Sequence, residues 1–472
     1  MYRQYEAIYT ACFCFRNKKI GFRIFARIYQ PNRVILPMKT VLVIAYYFPP
    51  SGGPGVQRVL KHTQYLSEFG WRPVVLTVEN GEFPARDESL LAKIPADVPV
   101  YRSHIYEPYD IYRAITGKSK GTPIDVNNLK KDNQRRTFKE SLAEFIRATI
   151  FIPDARIGWL PAAVKAGKEL IRKYNVSVIY SSSPPYTCSL IGRALQCRSG
   201  LPWVAGFRDP WTGFLTTPKR WFLPSAIDRR LERSVFRRAD AIECAWQGIA
   251  ADALRKYPDL PPEKFHYVPN GFDSNDFPAI RTERNDVFTL TYAGSMYGRR
   301  NPSLLFEAIE KLLAAGKITV ADFRLRFVGR FGDEVKEMFE KASFRRSIEI
   351  IPYLPHEESV KALMSSDALL LIVDEAKESA EIVPGKVFEY IGVKKPVLAV
   401  APIDGAVAGI LRETKCGIAV EQGDAEGCAR AFLGFLHGSS DFAPNVEAVK
   451  HYERREAAKK LADILNAIVA AK

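Results

Sequence analysis

Short runs of β-branched and aliphatic residues alternate with helix-spaced apolar positions from residue 38 to the end of the chain. Seven such runs, at 41–45, 73–77, 98–102, 176–182, 202–207, 240–245 and 265–269, lead to a stretch rich in turn formers, "VPNGFDSNDFP" at 268–278. Six more follow, at 288–294, 323–329, 347–353, 367–373, 395–400 and 416–420. Strand and helix in alternation predict parallel sheets covered by helices on both faces. Two such series of similar size, joined by a linker, predict an α/β protein of two doubly wound halves. The chain is also too long for one ordinary core. The expected division is an extension over 1–37, a first Rossmann-like domain over 38–270, a linker over 271–285, a second Rossmann-like domain over 286–448 and a terminal helix over 449–472. The last stretch, from residue 445 onward, reads as one long helix.

The first run, "VLVIA", passes into "YYFPPSGGPGVQRVL" at 46–60. Apolar residues at 56, 59, 60, 66 and 69 have helical spacing, and Gly70 ends the pattern. A strand, a glycine-rich turn and a helix in that order suit phosphate contact. The loop nevertheless lacks the G-x-G-x-x-G spacing of a dinucleotide fingerprint. Gly52 and Gly53 are expected to let the backbone approach a ligand. Arg58, inside the helix, either adds charge there or faces solvent. His62 reads as a surface or packing residue.

Composition narrows the classes. Hydrophobic content of 47% with 26% charged residues describes a folded globular chain. No apolar run reaches the length of about 18 residues needed to span a membrane. The seven cysteines are odd in number and scattered, which suits a reduced, cytoplasmic setting. The formal charge of +15 favours anionic partners. The first 37 residues carry seven Lys/Arg against one Glu and make a poor signal peptide. They read either as a basic, aromatic membrane-surface segment or as sequence preceding a functional start at Met38. Residues 122–139 are polar and basic and read as a surface insertion. The segment that follows, 141–159, reads either as a helix docked on the domain or as a basic, apolar surface for a membrane or lipid-linked acceptor. No RNA- or DNA-binding motif is present, so nucleic acid is not an expected partner.

The chemistry concentrates in "ESAEIVPGKVFEYIGVKKPVLAV" at 378–400. Glu381 and Glu389 are separated by seven residues. Between them, Pro384 and Gly385 open a helix whose free N–H groups and dipole favour a diphosphate. Lys386 adds a formal charge. Glu389, one turn in, can accept hydrogen bonds from vicinal ribose hydroxyls. In the first half, "FRDPWTG" and "SSSPPY" each follow a strand. Arg208, Asp209, Trp211, Ser182 and Ser183 are therefore expected at the cleft, on the acceptor side.

Taken with "WVAGFRDPWTG" and "VPNGFD", the glutamate-pair segment resembles the signature of glycosyltransferase family 4. These are retaining enzymes of the GT-B fold, also described as glycosyltransferase group 1. The resemblance runs from Met38 to near residue 470. It implies that Glu381 binds the donor sugar and Glu389 the donor ribose. It implies that the amides from Pro384 to Val387 hold the diphosphate. The family's G-R-x-x-x-x-K pattern falls on Gly294, with Ser295 at the arginine position, Arg300 at the lysine position and Arg299 just before it. One expected cation is thus missing, and Arg299, Arg300 or Lys386 is left to replace it. Gly329, Arg330, Tyr353 and Leu354 fall in the regions around the nucleotide base.

The implied activity is hexosyl transfer from a nucleotide-diphosphate-sugar to a saccharide or lipid-linked acceptor, in polysaccharide or glycolipid assembly. The catalytic set is Asp209, Glu381, Arg300 and Lys386. No cofactor is implied, and no metal, because basic residues neutralise the leaving diphosphate. The basic balance places the enzyme in the cytoplasm, peripheral at the inner face of the plasma membrane. Two other readings stay open: a nucleotide-sugar 2-epimerase of the same fold, and a non-catalytic basic scaffold associated with a membrane.

Overall fold

The computed structural model describes residues 38–83, 85–106, 148–149, 151–214, 217, 220–278, 285–374, 379–381, 383–438 and 442–472. The basic extension over 1–37, the insertion over 122–139, and residues 141–147 and 150 of the segment that follows lie outside these residues. From Thr40 to Lys472 the chain forms one compact unit.

The first half is a seven-stranded parallel sheet: β1 (Lys39–Ala45), β2 (Trp71–Val78), β3 (Val100–Ser103), β4 (Val178–Ser183), β5 (Trp203–Phe207), β6 (Ala241–Cys244) and β7 (Phe265–Tyr267). Its order is β3-β2-β1-β4-β5-β6-β7. Five helices cover it: α1 (Pro54–Tyr65), α2 (Leu160–Lys173), α3 (Thr187–Ser199), α4 (Phe222–Arg238) and α5 (Gln247–Lys256). The second half is a six-stranded sheet: β8 (Phe288–Ala293), β9 (Phe323–Val328), β10 (Ile348–Ile351), β11 (Ala368–Ile372), β12 (Val397–Val400) and β13 (Gly417–Val420). Its order, β10-β9-β8-β11-β12-β13, repeats the plan. Its helices are α6 (Ser303–Ala314), α7 (Asp333–Lys341), α8 (His356–Met364), α9 (Lys386–Gly392), α10 (Ala406–Thr414) and α11 (Ala425–Leu436). Two terminal helices follow, α12 (Val446–Lys450) and α13 (Arg454–Ala470).

Both sheets bury both faces, which is why their strands read as continuous apolar runs. β1 is buried from Thr40 to Ala45. Val56, Val59 and Leu60 of α1 cover one face of the first sheet together with Leu461 and Leu465 of α13. The terminal helix therefore closes the core of the first half, although it follows the second half in sequence.

The single long helix expected at the end of the chain is in fact two. Phe272 N donates to Tyr452 O and Arg454 N donates to Phe272 O, at 3.0 and 2.8 Å. The linker thus pairs with the chain between α12 and α13, and the helical ladder is interrupted there. Gly271 allows this approach, since a Cβ on it would stand 1.9 Å from Tyr452 O.

In each sheet the strand order reverses once, between β1 and β4 and between β8 and β11. Crevices beyond the carboxyl ends of strands at such reversals are where open α/β sheets bind ligands. The loops after β1, β8 and β11 hold Gly52, Gly53, Gly294, Ser295, Arg299, Arg300, Glu381, Pro384 and Gly385, and α9 follows directly with Lys386, Val387 and Glu389.

Candidate active site

In the second half the site is built around Lys386, the first residue of α9. Its aliphatic stem is buried and its Nζ lies 4.1 Å from the centre of the Tyr292 ring. Nζ donates to Tyr292 Oη at 2.7 Å, and that hydroxyl donates to Ser295 O at 2.8 Å. Tyr292 is the penultimate residue of β8, so the strand end itself seats the ammonium. Gly294 follows with φ +127°, and a Cβ there would stand 2.2 Å from Lys386 Nζ. Only glycine leaves room for the lysine in that backbone conformation. Gly329, with φ +141°, closes on Gly294 in turn, since its Cβ would meet Gly294 O at 2.2 Å.

Burial, and then the nearby Arg300, push the Lys386 ammonium down to about 7. Arg300 Nε pairs with Asp374 Oδ1 at 2.7 Å, just beyond β11. The candidate lysine-position cation is therefore held between the β8 and β11 loops. Arg299 and Ser295 are exposed. Tyr390 of α9 accepts a hydrogen bond from Ala293 N at 3.0 Å and ties the helix to the same strand end.

Glu389 lies one turn into α9 and is half-exposed. His356 Nε2 stands 3.0 Å from its Oε1. That contact raises the imidazole above its ordinary range, outweighing the lowering effect of partial burial. Glu381 is exposed on the approach to α9, and Pro384 and Gly385 precede the helix with Val387 buried beneath it. Arg330 lies over the Tyr353 ring, 5.0 Å from its centre, and Tyr353 is 64% exposed. Leu354 is partly buried against the hydrophobic cluster to which Val387 and Phe388 belong.

In the first half the loops after β1, β4 and β5 meet at Arg208. Its guanidinium occupies the space a Gly55 side chain would need, at 2.2 Å from the ideal Cβ. It donates to Pro184 O and lies 5.8 Å from the centre of the Tyr47 ring. Its Nε is buried without a hydrogen-bond partner. Asp209, half-buried beside it, has its carboxyl raised by desolvation, against the lowering effect of Arg208. Gly53 caps α1 with φ +92°, and nothing lies within 4 Å of its ideal Cβ. Gly52 is half-buried against Ala85 and Asp87.

Three expectations are corrected. Trp211 does not line the acceptor side: it is fully buried, stacked on Tyr186 at 4.7 Å, with Nε1 donating to Asp228 Oδ1. Ser183 is fully buried, its hydroxyl shared with Ser189 Oγ at 2.6 Å, and Ser182 is buried beside it. Arg58 neither faces solvent nor reaches the loop. It is buried against Glu243 Oε1 at 2.6 Å and donates to Val268 O and Pro269 O, on the stretch that leads into the linker.

Sequence reasoning missed Tyr292, Asp374, Tyr390 and His356. The place of Tyr292, two residues before a glycine at a strand end, was the one signal for it. The partners of the other three come from distant segments.

The chain matches a model described as "Glycosyltransferase Family 4" over residues 130–276 and one described as "Glycosyl transferases group 1" over residues 273–458. A comparison with curated proteins returns no match. Among solved structures, a sucrose-phosphate synthase from Thermosynechococcus elongatus superposes with a TM-score of 0.55 at 13% identity, covering 92% of this chain and 100% of that one. S. aureus TarM, in complex with Fondaparinux, alpha-GlcNAc-glycerol and UDP, gives 0.57 at 12% identity, with 91% and 100% coverage. WaaG, a glycosyltransferase involved in lipopolysaccharide biosynthesis, gives 0.51 at 16%, with 90% and 99% coverage. At these identities the likeness is one of fold. The two family matches together span residues 130–458, the first over β4–β7 and the second over the whole second sheet, and they support a glycosyltransferase of the group 1 family with the GT-B fold.

Proposed function

We propose that this enzyme is a retaining transferase that moves a hexosyl group from a nucleoside-diphosphate sugar to an acceptor hydroxyl in cell-surface polysaccharide or glycolipid synthesis. The observation that carries the reading is the seating of Lys386 over Gly294 and Tyr292. A lysine held near neutrality gains a full charge when a diphosphate arrives, so it binds a leaving group more strongly as negative charge develops.

Each group has a part in that chemistry. Lys386 and Arg300 neutralise the diphosphate, with the first amides of α9 alongside. Glu389 accepts hydrogen bonds from the ribose hydroxyls once His356 yields. Glu381 holds hydroxyls of the transferred sugar. Gly329, Arg330, Tyr353 and Leu354 border the base. On the facing half, Arg208 and Asp209 stand nearest the acceptor. Retention follows from front-face attack, with the leaving phosphate oxygen taking the acceptor proton. Lys386 and Arg300 supply the positive charge that a divalent metal would otherwise bring, so metal independence is part of the proposal.

The test is nucleotide release from a panel of UDP-, GDP- and ADP-sugars in the presence of chelator, with Glu389→Ala and Lys386→Met as controls. Turnover of one donor that collapses in both variants is expected. No turnover with any donor, together with unchanged nucleotide binding in both variants, would sink the reading.

A further inference from the structure

The N-terminal end of α4 carries an apolar cluster that is exposed among the described residues. Trp221, Phe222 and Leu223 are 46%, 80% and 52% exposed, and Ile227, one turn on, is 39% exposed. Isolated exposed apolar residues are ordinary, but four large ones on adjoining positions form a patch that calls for a partner.

The charge on the same helix identifies the kind of partner. Its two carboxylates point inward. Asp228 accepts from Trp211 Nε1 and Arg220 Nε, and Glu232 accepts from Thr212 and from Tyr257 Oη. Both are about 1% exposed. The outward face therefore carries cations alone. Arg233 and Arg237 share Asp259, while Arg229, Arg230 and Arg238 are exposed with no acidic partner among the described residues. Apolar side chains at one end and unpaired arginines along the same face suit the boundary between acyl chains and anionic headgroups.

The patch is also preformed. Arg220 donates to Ala148 O, Phe151 O and Pro153 O, and Trp221 Nε1 donates to Thr149 Oγ1 at 3.0 Å. Little ordering is needed on docking. In a parallel α/β sheet the helix after a strand begins at the edge where that strand ends, so α4 starts on the edge that carries Asp209. The hydrogen bonds from residues 211 and 212 to Asp228 and Glu232 lock that loop to α4.

We propose that the N-terminal end of α4 docks this enzyme on an anionic phospholipid bilayer, with Trp221, Phe222 and Leu223 entering the headgroup layer and Arg229 and Arg230 meeting lipid phosphates. The proposal rests on the sugar-transfer reading only for its purpose, which is to bring a lipid-linked acceptor to the Asp209 edge.

The experiment is co-sedimentation of the full chain with vesicles of phosphatidylcholine alone, or with about a third phosphatidylglycerol. Binding to the anionic vesicles is expected to exceed binding to the neutral ones. It should fall about tenfold or more in Phe222→Ser/Leu223→Ser and in Arg229→Glu/Arg230→Glu. Thermal unfolding should stay near that of the parent, because all four side chains are exposed. Equal binding to both vesicles overturns the proposal. So does parental binding by either double variant, which would move the contact to another basic segment. A dimer that dissociates in Phe222→Ser/Leu223→Ser, without vesicle binding, would reassign the patch to protein contact and also overturn it. Vesicle binding is read without donor, so a chain that binds vesicles but transfers no sugar would sink only the sugar-transfer reading.

Discussion

His356 Nε2 and Glu389 Oε1 stand 3.0 Å apart, and the glutamate so engaged is the one proposed above to receive the donor ribose. The pair is strongest when the imidazole is charged. The carboxylate raises the imidazole's affinity for its proton, so the stabilisation is full below the ordinary histidine range. It is lost as pH rises through the raised value. Donor binding must break the pair. His356→Ala is therefore expected to tighten donor or nucleoside-diphosphate binding more at pH 6 than at pH 8. Both side chains are largely solvent-accessible, so the gain corresponds to about 0.2–1 kcal/mol, or up to about fivefold in Kd. Calorimetric titration at the two pH values checks it. A gain that is the same at both would remove the competition.

Lys386 predicts an opposite and larger trend. Its ammonium is pushed down to about 7, chiefly by burial, so above neutrality the amine is mostly uncharged. A bound diphosphate restores the proton. Affinity should then fall by up to about tenfold per pH unit above 7, and binding should take up a proton. Titrations in buffers of different ionisation heat measure that uptake directly. For stability the sign reverses. The unfolded chain binds this proton and the folded chain does not between about 7 and the ordinary lysine value. Burying the charged amine thus costs most at low pH. Lys386→Met should raise the Tm at pH 6 while abolishing proton-linked nucleotide binding.

Gly294 and Gly329 separate site geometry from stability. Both have positive φ, so alanine at either is strained by about 1 kcal/mol or more. At Gly294 the added Cβ meets the far end of Lys386, a side chain that can move. At Gly329 it meets Gly294 O, which is backbone and cannot. Gly329→Ala should lose more Tm than Gly294→Ala. Gly294→Ala should raise the donor KM more than its modest loss of Tm accounts for, because it displaces the lysine. The reverse ranking in Tm would show that the two strand ends are not packed as described.

Much of this was legible along the chain, and what was not has a common cause. The thirteen strands among the described residues fall on the apolar runs, most plainly the central ones, because a strand buried on both faces has to be apolar at successive positions. The α1 pattern, and the stop at Gly70, φ +82°, after the 3-10 turn Leu66–Phe69 that continues it, are local matters of spacing and backbone freedom. Lys386 and Glu389 could be read as neighbours because one short helix carries both. Arg58, Trp211 and Ser183 were misread because polar atoms seldom reveal their burial locally. Glu243 lies 185 residues from Arg58, and Asp228 lies 17 from Trp211. The break between α12 and α13 was hidden for the same reason, since Phe272 supplies it from the linker.

The Arg58–Glu243 pair yields the sharpest stability prediction. Both side chains are about 1% exposed, and Glu243 Oε2 also accepts from Tyr180 Oη at 2.6 Å. Burial opposes the charge on Glu243, but Arg58 and His62 outweigh it and hold the carboxyl at about 2. Removing one partner leaves the other charge buried and unpaired, a loss of about 3–5 kcal/mol. Arg58→Met and Glu243→Leu should each cost that much, and the double variant should recover part of it. The pH dependence follows from the lowered carboxyl. Its contribution is present above pH 4.5 and is lost as pH falls toward 2. His62, whose imidazole is lowered mainly by burial, adds a loss below its ordinary range, because the unfolded chain takes up a proton there that the folded chain excludes. Urea midpoints at pH 7, 5.5 and 4 should therefore fall in that order for the parent. In Glu243→Leu the part of the slope below pH 4.5 should be shallower. Arg58 also holds the stretch that leads into the linker through Val268 O and Pro269 O, so a single variant should lower nucleotide turnover by more than its folded fraction accounts for. Turnover that tracks the folded fraction alone would confine the pair to stability.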